Sequence, residues 1–184
     1  MLRTSFSWLL LPVLAFVVAA CCGSVACDNR EKNADTLFFE FAPSVTREAI
    51  ETVYIVRTYT PDPTDIPKPT SLTPVRDTAR LISTAVDSST NRRLAIGNNS
   101  PFVATANRKL NAYTYEIYTV KSSTDTTKAL RFTVSNILLE GGFNDEDGCC
   151  TYYKNTKKII DINNGTQSET NIDLNKRSRV TLKP

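Results

Sequence analysis

Carboxylates crowd one short stretch of this 184-residue chain, Glu140-Gly141-Gly142-Phe143-Asn144-Asp145-Glu146-Asp147-Gly148-Cys149-Cys150. Glycines let a backbone wrap, and hard cations such as calcium take oxygen ligands, so Glu140, Asp145 and Asp147 are candidate calcium ligands. The spacing departs from the helix-loop-helix calcium loop, because counting back from Gly148 puts Phe143 where the first acidic ligand belongs. A solvated acidic loop is the plain reading of the same residues. Paired acids also serve glycosidases, which need two carboxyl groups at a set separation across the sugar bond. A carbohydrate-active protein, or a calcium-dependent glycan binder using residues 140–147, is therefore the alternative carried forward. The chain has no histidine, which removes Ser-His-Asp and Cys-His nucleophilic chemistry. No phosphate-cradling glycine pattern occurs either. The expectation is a protein that is not an enzyme and takes no cofactor beyond calcium. Tyr113, Tyr115, Tyr118, Tyr152 and Tyr153 suit a carbohydrate platform, although half-buried strands favour tyrosine for packing alone.

The second chemistry-bearing group is cysteine. The chain opens with Arg3, then an apolar run from Phe6 to Ala20, the three-part plan of a secretory signal peptide. A spanning helix needs about 20 apolar residues, and Ser7 and Pro12 break this run. It ends in Val18-Ala19-Ala20-Cys21, which resembles the lipobox of bacterial lipoproteins. The resemblance implies removal of residues 1–20 and lipidation of Cys21. Several acyl chains on one residue make a stable anchor, whereas a single chain does not. Ordinary secretion with cleavage after Ala26 is the competing reading. Asp35-Thr36-Leu37, Asp77-Thr78-Ala79 and Asp125-Thr126-Thr127 each resemble the short O-glycosylation motif of exported Bacteroidetes proteins.

With Cys21 given to lipid, Cys22, Cys27, Cys149 and Cys150 remain, which suggests two disulfides in an exported protein. Adjacent Cα atoms lie about 3.8 Å apart, short of the ~4.4–6.8 Å that a disulfide wants. Cys149 and Cys150 are therefore expected to reach Cys22 and Cys27, in either order. Zinc is disfavoured by the missing histidine and by the spacing.

These groups must be positioned by strands. Leu37-Phe38-Phe39-Glu40-Phe41 and Val53–Tyr59 carry β-branched and aromatic residues. Between them Ser44-Val45-Thr46-Arg47-Glu48 suits a short helical turn capped by Ser44. Pro61, Pro63, Pro67, Pro69 and Pro74 make residues 61–74 an extended crossing. Arg80–Val86 and Arg92–Ile96 are ambiguous, and Phe102–Ala106 is a further strand candidate. Tyr113, Tyr115 and Ile117 share one face, and Leu130–Ser135 alternates cleanly. The period slips at Ile137-Leu138-Leu139, as at a bulge. Asn163-Asn164-Gly165-Thr166 predicts a hairpin between Lys158–Ile162 and Ile172–Leu174, with Val180–Leu182 as a last edge strand.

The pattern predicts an all-β fold, an antiparallel β-sandwich of immunoglobulin-like or transthyretin-like plan, with a small β-barrel as the alternative. Residues 1–20 are the expected signal peptide, 21–35 a lipid-anchored tether and 36–184 one β-rich domain. Net charge is +3, or +2 once a leader carrying Arg3 is gone. Basic and acidic residues are interspersed, so no nucleic-acid partner is expected. The functional expectation is a cell-envelope lipoprotein, held at the outer membrane or in the periplasm through Cys21. Its sandwich would serve binding or envelope assembly, with a glycan or an envelope protein as partner.

Overall fold

The computed structural model describes residues 33–82, 92–105, 108–121, 127–144 and 152–184. Among them run β1 (Leu37–Phe41), β2 (Thr52–Tyr59), β3 (Val75–Ile82), β4 (Arg93–Ile96), β5 (Thr114–Val120), β6 (Lys128–Asn144), β7 (Tyr152–Asn163), β8 (Ser168–Asp173) and β9 (Val180–Leu182). Short 3-10 turns cover Glu48–Ile50 and Leu110–Ala112. The strands form a six-stranded sheet ordered β3-β2-β5-β6-β7-β8 and a three-stranded sheet ordered β4-β1-β9. The fold is the expected β-sandwich, and the sheets do not close into a barrel. The small sheet is mixed, however, because β9 runs parallel to β1 while β4 runs antiparallel to it. Hydrophobic alternation encodes which face of a strand is buried, not its direction, so this parallel pair was invisible to the pattern.

Residues 35–140 with 155–184 make one compact unit. Its core follows the two-residue period. Leu37, Phe39 and Phe41 of β1, Tyr115 and Ile117 of β5, and Phe132 and Val134 of β6 are all buried. Phe41 meets Phe132 edge-on at 6.2 Å, which packs one sheet against the other. The second unit comprises residues 1–34 and 141–154. Within its described part Phe143 and Tyr153 meet edge-to-face at 5.7 Å.

The predicted slip in β6 falls on Asn136, whose φ of 50° is left-handed. That residue takes up one extra position, so Ile137 turns back to the buried face behind Val134. Asparagine tolerates this conformation better than most side chains. Phe102 to Thr105 is not a strand: Phe102 is buried as a plug and the backbone runs irregularly. Arg47, not Ser44, occupies the cap of the first 3-10 turn, where Thr46 Oγ1 accepts from the Ala49 amide at 3.4 Å.

Candidate functional site

The acidic segment is only partly visible. Glu140 stands exposed on β6, and its Oε2 lies 2.7 Å from Lys157 Nζ. Asp145 and Asp147 lie outside the described residues, as do Cys21, Cys22, Cys27, Cys149 and Cys150. Among the described residues, no group of three or more cysteine, aspartate or glutamate side chains is placed to hold a metal.

The tyrosines do not assemble into one platform. Tyr113 and Tyr115 are buried in the core, and Tyr152 is buried too. Burial pushes the Tyr115 phenol well above its ordinary pKa, against the opposing pull of Arg57. Tyr118 differs in parity from Tyr113 and Tyr115 and faces outward. There it stacks on Tyr54, centroids 5.1 Å apart and planes within 9°. Tyr54 was not singled out by sequence, because only the strand register shows it to be the direct cross-strand neighbour of Tyr118.

That register extends the pair into a row. Arg80 of β3 sits opposite Tyr54, and Arg131 of β6 sits opposite Tyr118. The outward order across four strands is thus Arg80, Tyr54, Tyr118, Arg131. The next row is Thr78, Val56, Glu116, Thr133, and beyond it Arg76 faces Thr58. Lys128 Nζ lies 4.3 Å over the Tyr118 ring and 2.5 Å from Glu116 Oε1. Arg131 Nε approaches the same oxygen at 2.6 Å. Partial burial opposes ionisation of Glu116, but Lys128 and Arg131 outweigh it and hold the carboxyl below its usual range. Arg76 and Arg80 form no ion pair among the described residues and are exposed.

A second cluster, also missed by sequence, lies on the inward side of β2. Arg57 is buried, donating from Nε to Asp77 at 2.8 Å and from its terminal nitrogen to Thr105 Oγ1 at 2.9 Å. Its guanidinium carbon sits 4.7 Å from the Phe102 ring centre and 4.8 Å from that of Tyr113. A planar cation beside two aromatic rings, with two of its donors engaged, is a clamp tying β2 to β3 and to residues 102–105. The available signal was an arginine at an alternate, inward position of an apolar strand. Beside it, Tyr59 donates its hydroxyl to Asp65 and carries Arg108 at 3.8 Å over its ring.

A third network holds the start of β1. Asp35 accepts from Asn98 and Asn155, each at 2.9 Å, and Lys158 donates to the Thr36 carbonyl at 2.5 Å. Thr36 is half-buried, while Thr78 stands exposed on the edge strand β3; Asp125 and Thr126 lie outside the described residues. A cavity of about 150 Å³ lies between Phe132, Ile162, Asn164, Glu169 and Leu182. Asn164 there donates to the Lys183 carbonyl, and Glu169 is paired with Arg177.

Comparison with known proteins adds no constraint. No protein-family model, curated protein or solved structure matches the chain.

Proposed function

We propose that this protein is a membrane-anchored lipoprotein of the cell envelope, tethered through Cys21, whose β-sandwich is a non-enzymatic binding module. The outer face of the six-stranded sheet is its binding surface, and an extended glycan is its ligand. The observation carrying this reading is the row Arg80, Tyr54, Tyr118, Arg131 on a solvent-facing sheet. Tyrosine and arginine are the residues that recur at energetic centres of recognition surfaces, because each offers large contact area with directed hydrogen bonding. Around them Thr52, Thr58, Thr78, Thr114 and Thr133 line the outward positions with hydroxyls, which suits a polar polymer. A protein partner would want a desolvated apolar centre, whereas the outward apolar residues here, such as Val56, Ile82 and Leu138, are interspersed with polar ones.

The stacked rings stand against each other, with Lys128 over the far side of Tyr118. Their edges and hydroxyls, not their flat faces, are what a ligand would meet. Binding to a glycan array should show retention by the wild-type protein and about ten-fold weaker retention by the Tyr54→Ala/Tyr118→Ala double variant, with circular dichroism unchanged. Failure to retain any glycan would sink the ligand class. The tether is tested separately: the mature N-terminal peptide should carry acyl mass on Cys21, and an unmodified thiol there would remove the membrane from the account.

A further inference from the structure

We infer that the ligand of this face is an acidic glycan, bearing carboxylate or sulfate groups, and that Glu116 is an internal competitor setting how tightly it is held. The inference rests on the reading of the face as a glycan-binding surface. Four cations, Arg76, Arg80, Lys128 and Arg131, occupy outward positions on β3 and β6, and Glu116 is the one acid at the outward positions of the paired stretches 52–59, 75–82, 114–120 and 128–134. Four cations less one acid leave this patch at +3. Such a face attracts anions and repels cations before any contact is made.

The four cations are not equivalent. Arg76 and Arg80 have no acidic partner among the described residues. Their guanidinium forks are open to a carboxylate or sulfate, whose oxygens they match in a planar, two-pronged way. Lys128 and Arg131 are already occupied, at 2.5 and 2.6 Å from Glu116 Oε1. An incoming anion must share them with that carboxylate. The Tyr54 and Tyr118 hydroxyls stand between the two sets of cations and add neutral donors along the row. Charged residues also blunt the open edge of a strand such as β3, but that role does not involve Glu116, which lies two strands inward.

The test is titration of the full chain with polygalacturonate (carboxylate), chondroitin sulfate (sulfate and carboxylate) and dextran (neutral). The wild type should hold at least one acidic polymer about ten-fold more tightly than dextran, with the difference shrinking as salt rises. Arg76→Gln/Arg80→Gln should weaken acidic binding about five-fold or more and so narrow its margin over dextran. Glu116→Gln should tighten acidic binding about three-fold, because it frees Lys128 and Arg131; a merely structural carboxylate would give no change or a loss. Equal affinity for dextran and the acidic polymers would overturn this inference while leaving the glycan reading intact. Binding to no glycan would overturn both, and so would binding confined to vesicles of anionic phospholipid. Preference for polygalacturonate or for chondroitin sulfate would distinguish carboxylate from sulfate as the recognised group.

Discussion

At the scale of single residues, the energetics concentrate on Arg57. Its guanidinium lies beside Phe102 and Tyr113 and is hydrogen-bonded to Asp77 and Thr105. Arg57→Ala removes two cation–aromatic contacts and charge-assisted hydrogen bonds, so denaturant unfolding should show a loss of about 2–4 kcal/mol. Arg57→Lys should recover little of it, because an ammonium lacks the planar fork. A loss under about 0.5 kcal/mol for the alanine variant would mean that the clamp is ornamental. Asp65 gives a pH signature. The Tyr59 hydroxyl and the Asp62 amide hold its carboxyl below the ordinary value of 3.8. Stability from a lowered carboxyl pKa is present above its unfolded value and is lost as pH falls through the folded one. The wild type should therefore lose stability on acidification below about pH 4, and Asp65→Asn should lose less over that window. Parallel pH profiles for the two proteins would contradict it.

At the scale of elements, the irregular strands β6, β7 and β8 share one device. Asn136 and Asn171 both adopt left-handed backbones, with φ of 50° and 56°. Asp161 accepts from the Asn136 side chain and from the Asn171 amide, each at 2.7 Å. A register shift in β7 falls beside it, between Ile160 and Ile162. One carboxylate thus fastens two left-handed residues across three strands. Asp161→Ala should cost about 1–2 kcal/mol in thermal unfolding and speed amide exchange at Asn171; unchanged exchange at Asn171 would refute the fastening. The hairpin between β7 and β8 places Gly165 at φ 91° with open space around it. Gly165→Ala should therefore cost about 1 kcal/mol through backbone strain alone. This hairpin was legible beforehand, because Asn-Gly between apolar runs carries its own turn geometry. So was β1, whose Leu37, Phe39 and Phe41 alternate inward. The break at Asn136 was legible as a lost period, but the residue responsible and its partner Asp161 were not, since both are set by strand pairing.

At the scale of the molecule, the sandwich follows from strand spacing and alternation, whereas its functional face does not. Tyr113, Tyr115 and Tyr118 look alike as residue types, yet two are core and one faces solvent. Parity within β5 already separates them; the partner Tyr54 and the flanking Arg80 and Arg131 depend on which strands pair and in what register. The acids of 140–147 are adjacent in sequence and so carry a local signature, while the row on the sheet draws on β2, β3, β5 and β6 and has none. This row is where the proposed ligand sits. Backbone and side-chain NMR shifts of the full chain, followed during titration with a galacturonate oligomer, test it most directly. The largest shifts should fall at Tyr54, Arg80, Tyr118 and Arg131; shifts confined to residues 140–147 or to the cavity around Asn164 would place the ligand elsewhere.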